Sequence, residues 1–316
     1  MMAFLLSGCG ETATPSTEDQ NVTSTPTQEM EGTAATGFDY KENDDGTITV
    51  CGYDGEEWEL VIPDTIDGKT VTEIERMAFY HDVSLTSVVI PETVTSLGES
   101  CFEKCEDLET VVLPKHLTEI PRFAFRNCQN LKDIQLPEEL KTIGKQAFEW
   151  CSALKKVSFP DSLETIEEEA FMNSGLETIT IPPRVTVINP GVFNGTSIEE
   201  LDIPSTVTTI NQYAFHTCFK LREVTLHDGV TFIGPWAFGG QNELTEIVIP
   251  STVADVYEYT FADAPNLSAV KFEGDAPKEY VSEYTAPLEN NYKVYYHEGA
   301  AGFSSPEWNG FRTEIW

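Results

Sequence analysis

Phenylalanine recurs along this chain at a spacing that only a repeat architecture produces. Phe79, Phe102, Phe125, Phe148, Phe171, Phe193, Phe215, Phe238 and Phe261 are separated by 23, 23, 23, 23, 22, 22, 23 and 23 residues. A proline keeps step with them at Pro63, Pro91, Pro114, Pro137, Pro160, Pro182, Pro204 and Pro250, with His227 in the same slot of the eighth unit. Proline to phenylalanine is 11 residues in every unit but the first, where five extra residues enter at 66–70. Both 22-residue gaps therefore lose their residue between the phenylalanine and the next strand. A unit this short cannot bury its own apolar face, so stacked neighbours must create the core.

Residues 131–153, LKDIQLPEELKTIGKQAFEWCSA, show the grammar of one unit. A short alternating strand ends at the proline, a second apolar pair follows, and a tight Ala-Phe coil closes the turn. Alternation puts Leu108, Val111 and Leu113 toward the core and Glu109, Thr110 and Val112 outward. The coil between the second pair and the phenylalanine is too short for an α-helix, and at most a 3₁₀ turn is expected. The phenylalanines should form a spine through the stack.

The ends depart from the period. Residues 37–58 carry an Asp44-Asp45-Gly46 turn before the strand-like Thr47–Val50, as a cap on the first coil requires. After Phe272 the repeat stops, and residues 275–316 read as the closing cap. Its Tyr292, Tyr295, Tyr296, Phe303, Trp308, Phe311 and Trp316 are expected in the cap core rather than in a ligand cage. The expected organisation is a signal remnant (1–9), a polar tether (10–36), an N-terminal cap (37–58), about nine repeats (59–274) and a C-terminal cap (275–316).

The pattern IPxxVxxIGxxAFxxCxxL resembles the leucine-rich repeats of the BspA type, found on bacterial surface proteins. The resemblance extends over residues 38–316 and takes in the opening DGTITVCGY and the closing Tyr295-Tyr296-His297-Glu298-Gly299. It implies a right-handed leucine-rich repeat superhelix of short parallel strands and turns, with little regular α-helix. For function it implies surface attachment and adhesion to host or cell-surface proteins, with no shared binding residues to carry over.

With 53 acidic against 19 basic residues, the net charge is −34. Such a surface repels phosphate backbones and anionic lipid, so no nucleic-acid partner is expected and no membrane contact through basic patches. Leu6-Ser7-Gly8-Cys9 resembles a bacterial lipobox, in which Cys9 is acylated, although the apolar run before it is short and lacks basic residues. Residues 11–36 are rich in Ser, Thr, Pro, Glu and Gln, too poor in large apolar residues to fold. A lipidated cysteine and a polar tether place the protein outside the cell, held to the membrane by lipid.

Cys105, Cys128, Cys151 and Cys218 occupy one slot, three residues after the phenylalanine, and Ser174 fills it in another unit. A linear ladder does not converge as a zinc site must, and stacked parallel side chains do not match disulfide torsions. Buried free thiols are expected. The five histidines have no metal spacing, no phosphate loop or nucleophile elbow occurs, and neither an enzyme nor a cofactor is expected.

Function should then lie in slots that vary. One outward row runs along the strand face: Gln135, Ser158, Thr180, Asp202 and Thr225, flanked by Val89, Val112, Val248 and Lys271. The other is the position two before the phenylalanine, where Tyr213, Trp236 and Tyr259 follow one another at about 5 Å per coil. Phe219, Phe232 and Tyr257 lie in the same three units at other slots. Such a column either shields the coil edge or offers a hot spot or sugar platform. The expected partner is a protein on a host or neighbouring cell; a glycan bound by the aromatic column, and a purely structural spacer, are the alternatives.

Overall fold

Alternation within each unit decides which residues enter the core. In the third coil Leu108, Val111 and Leu113 are buried while Glu109, Thr110 and Val112 stand in solvent. The computed structural model describes residues 37–257, 259–278 and 292–316, so Cys9 and the tether lie outside the described residues. Within them the chain winds into a β-solenoid of about 11 turns with no helix.

The coils stack in two strand rows. The first row contains Glu59–Val61, Ser87–Val89, Thr110–Val112 and Asp133–Ile134, paired in parallel with a one-unit register such as Val88 to Val111 to Ile134. It resumes with Glu200–Ile203 on Glu223–Leu226 and then with Glu246–Ile249 on Ala269–Phe272. The second row is made of two-residue strands, among them Glu119–Ile120, Thr142–Ile143 and Thr165–Ile166.

The second row breaks between Leu97 and Ile120 for a covalent reason. In six coils the residue after the second strand donates its N–H one coil back, as Gly98 does to Ile74 and Gly144 to Ile120. The same place in the third coil is Pro121, which has no N–H to give to Leu97. Asn189 mends a similar gap by donating its side-chain amide to the Ile166 carbonyl at 2.8 Å.

Nine phenylalanines form a continuous internal stack. Successive ring centroids from Phe79 to Phe261 lie 5.0 to 6.3 Å apart with interplanar angles of 2° to 13°. The coil that carries them is built of turns and holds no helix, within the expected limit of a 3₁₀ turn. Amides alternate: Ala78 donates three residues back to Glu75, whereas Phe79 donates across to Cys101 of the next coil. The chain accommodates this by taking positive φ two residues before and two residues after each phenylalanine, as at Phe123 (61°) and Asn127 (61°).

Both ends are closed by strands outside the period. The hairpin Phe38–Glu42 with Ile48–Tyr53 covers the first coil, and Ile48–Tyr53 pairs in parallel with Lys69–Ile74. At the other end Lys293–Tyr296 pairs on Ala269–Phe272 and Phe311–Ile315 pairs on Lys293–Tyr296. Tyr292, Tyr296, Trp308 and Phe311 are buried there, Tyr295 and Phe303 half-buried, and Trp316 lies exposed with its ring stacked on His297.

Candidate functional site

The strand-face row stands where alternation puts it. Gln135, Ser158, Thr180, Asp202 and Thr225 are all exposed, between buried neighbours such as Ile134 and Leu136. Asp202 and Thr225 face each other in register, and Asp202 also meets His227 Nε2 at 2.8 Å. Val112 extends the row toward the N-terminal end, 54% exposed.

The row is not uniform along the solenoid. Between Asp133–Ile134 and the next coil the first-row pairing stops, and only a single bridge, Lys156 to Thr178, links the following two coils. There the surface opens into a groove of about 660 Å³ between residues 132–138 and 156–161, with a smaller one of about 200 Å³ beside it at 156–159 and 178–180. Gln135 and Ser158 both line the larger groove, and Thr180 lines the smaller.

The aromatic residues divide into separate groups. Trp236 stacks on Tyr213 at 6.5 Å and 15°, and on Tyr259 at 4.9 Å and 14°. His216 meets Tyr213 and Trp236 edge-on at 5.4 and 5.5 Å, and burial pushes its pKa below the usual histidine range. Phe232 and Tyr257 form another pair at 5.0 Å on the second strand row, while Phe219 stands 53% exposed in neither stack. Three rings are thus brought into one column; the other three are not.

Backbone conformation sets the column's direction. Tyr213, Trp236 and Tyr259 all sit at positive φ (58°, 59° and 57°), as do Met77, Ser100, Phe123, Gln146, Glu169 and Gly191 in the same slot. The slot is left-handed in every unit whatever residue fills it. The sequence signal for this lies four residues on, where Asn127, Asn173, Gly195, Gly240 and Asp263 take the companion left-handed position. Farther toward the N-terminal end the same slot carries Phe123, whose ring meets the guanidinium groups of Arg122 (4.5 Å) and Arg126 (4.6 Å). Arg126 is fixed in turn by Glu103, a nearly buried carboxylate, at 2.7 Å.

The cysteine slot is polar in role. Cys105, Cys128, Cys151 and Cys218 each donate their S–H to the carbonyl of the phenylalanine one coil back, at 3.0 to 3.2 Å. Gln241 does the same through its amide to Phe215, at 2.6 Å. Burial raises these thiols, Cys105 to about 12 and Cys218 to about 11, so they are poor nucleophiles. Among the described residues no group of three or more His, Cys, Asp or Glu side chains is placed to hold a metal ion.

The model of the BspA type leucine-rich repeat region matches residues 72–198 and 186–285, in six copies. Among solved structures, a leucine-rich repeat protein from Bacteroides ovatus ATCC 8483 aligns with 82% of this chain and 70% of its own, at 26% identity and a TM-score of 0.75. A leucine rich repeat protein from T. pallidum aligns with 64% of this chain and 85% of its own, at 30% identity and a TM-score of 0.50. A leucine rich cell surface protein from Faecalibacterium prausnitzii A2-165 covers 88% of this chain and 97% of its own, at 20% identity and a TM-score of 0.48. No curated protein matches. Repeat signature, stacked coils and fold agree, and the chain belongs to the BspA-type leucine-rich repeat family.

Proposed function

We propose that this protein is a surface-anchored binding protein that presents its first-strand face to a protein on a host or neighbouring cell. The observation that carries the reading is the row Gln135, Ser158, Thr180, Asp202 and Thr225, exposed on one face in successive coils over a rigid stack. A wide rigid row of short polar side chains loses little conformational entropy when a flat partner covers it. The Leu6–Cys9 lipobox and the polar segment after it support attachment to the membrane with the solenoid outside.

The aromatic column supports a sugar platform less well. Stacking on a sugar needs an open ring face, and both faces of Trp236 are turned to other rings. Its outward edges suit shielding of the coil, or a protein contact.

The test compares capture of cell-surface proteins by three forms of the full chain. These are the wild type, a Thr180→Lys, Asp202→Lys, Thr225→Lys form, and a Tyr213→Ser, Trp236→Ser, Tyr259→Ser form. Loss of capture only in the lysine form, unaffected by free sugars or glycosidase, is expected. Loss in the serine form together with competition by sugar would move the site to the column and the ligand to a glycan. No capture by any form would leave a structural spacer.

A further inference from the structure

The fifth and sixth coils, residues 154–175 and 176–197, meet where neither strand row is laddered. In the first row a single bridge, Lys156 to Thr178, joins them. In the second row Thr165–Ile166 and Val187–Ile188 belong to separate sheets. Every other pair of neighbouring coils from the first to the ninth keeps a ladder in at least one row. Glu164 donates its N–H to Lys141 and Thr208 donates to Thr186, but no backbone bond runs from Thr186 to Glu164. Only the Asn189 side chain links the second row here, to the Ile166 carbonyl. Two ion pairs also cross, Lys155 with Glu177 and Arg184 with Glu164, both exposed and weak.

The bonds that remain lie mostly on the turn edge. Glu169, Phe171 and Asn173 donate to Pro190, Val192 and Asn194 at 2.7 to 2.9 Å. The Phe171 and Phe193 rings stack at 5.9 Å, the widest step between Phe79 and Phe238. On the strand side the core is less well covered. Ile179 is half-buried, whereas Val157 and Leu201, in the same slot of the coils on either side, are 5% and 2% exposed. The groove of about 200 Å³ at 156–159 and 178–180 lies at this place. The repeat loses its first residue here too, between Phe171 and Leu176.

In a linear array each interface carries its own share of stability, so the least bonded opens most readily. Bonds confined to one edge make that edge the axis of the motion. We infer that the solenoid is two rigid blocks, residues 37–175 and the described residues from 176 onward, hinged on the turn edge between Phe171 and Phe193 and opening on the strand side. The hinge divides the strand-face row, leaving Gln135 and Ser158 on one block and Thr180, Asp202 and Thr225 on the other. Each length of the row is rigid by itself, and bending changes the curvature of the face they share.

The test is pulsed electron paramagnetic resonance on the full chain with Cys51→Ser, nitroxides being attached to pairs of introduced cysteines. Val112→Cys with Thr225→Cys crosses the seam on the strand face, and Arg122→Cys with Gln212→Cys crosses it on the turn edge. Thr180→Cys with Glu273→Cys lies within the second block; all six positions are exposed. The Val112–Thr225 distance distribution should be about twice as wide as the other two. Asn189→Ala should widen it further and leave the Thr180–Glu273 distribution unchanged.

A Val112–Thr225 distribution as narrow as the Thr180–Glu273 one would overturn the inference. So would an Arg122–Gln212 distribution as wide as the Val112–Thr225 one, since the coils would then part without an axis. Widening of the Thr180–Glu273 pair by Asn189→Ala would overturn it as well, because the flexibility would not be local to the seam. The comparison without Asn189→Ala stands even if that variant fails to fold. Any of these results with capture of cell-surface protein intact removes the hinge and leaves the strand-face function standing.

Discussion

A cysteine that donates to a carbonyl one coil back is matched to its partner by bond length. Ser174 occupies the same slot, and its buried hydroxyl finds no partner at all. The C–O bond is shorter than C–S, so a serine hydroxyl falls short of the carbonyl that Cys128 and Cys151 reach. An unsatisfied buried hydroxyl costs about 1–3 kcal/mol. Cys128→Ser should therefore destabilise more than Cys128→Ala, and Ser174→Cys should stabilise by roughly 1 kcal/mol, all read from urea midpoints. His216 gives a pH signature at the same scale. Burial lowers its pKa, opposed by Asp263, so the unfolded chain holds its proton more tightly than the folded one. That contribution to stability is present above the ordinary histidine range and is lost as pH falls through the depressed value. His216→Gln should flatten the acid leg of the urea midpoint plotted against pH between 7 and 5.

At the scale of the coil, the aromatic spine couples neighbours. Phe148 is fully buried and contacts Phe125 at 5.4 Å and Phe171 at 5.1 Å. Phe148→Ala should cost roughly 3–5 kcal/mol, and hydrogen exchange should quicken in the coils on either side rather than in one alone. The left-handed slot predicts a smaller effect of the opposite chemistry. Gly191 has φ of 63°, and a Cβ there would lie 3.0 Å from Glu169 Cγ. Gly191→Ala should destabilise by about 1 kcal/mol, measured by urea denaturation, even though alanine adds only one methyl group. The spine, the proline turn and the two strand rows were all legible in the spacing of Phe, Pro and the apolar pairs. The left-handed slot was not, because Tyr213, Trp236 and Phe123 are residues that rarely adopt it.

Across the whole molecule the core is one run of stacked coils, and its thiols report on it. Cys101, Cys105, Cys128, Cys151 and Cys218 are buried, while Cys51 is half-buried in the N-terminal cap region. Alkylation at pH 8 should leave the five core thiols untouched in the native protein and modify all of them once it is unfolded. Modification of a subset at intermediate urea would reveal coils opening in blocks, as a linear array allows. Charge acts at this scale too. Ion pairs one coil apart, such as Lys132 with Glu109 and Lys155 with Glu177, are solvent-exposed and contribute little each. The net charge of −34 should instead make stability rise with salt, as repulsion among the excess carboxylates is screened.

The sequence by itself determined the period, the two strand rows, the buried set and the family, because each follows from spacing along the chain. It also placed the row Gln135, Ser158, Thr180, Asp202 and Thr225 outward, since alternation has only two answers. Only the tertiary structure decided which stacked neighbours pair. Pairing depends on how one coil sits on the next, so the gap at Pro121, the open groove beside Lys156 and the closed faces of Trp236 appear only after stacking. A residue's slot is local, whereas a strand edge left without a partner is a property of two coils at once.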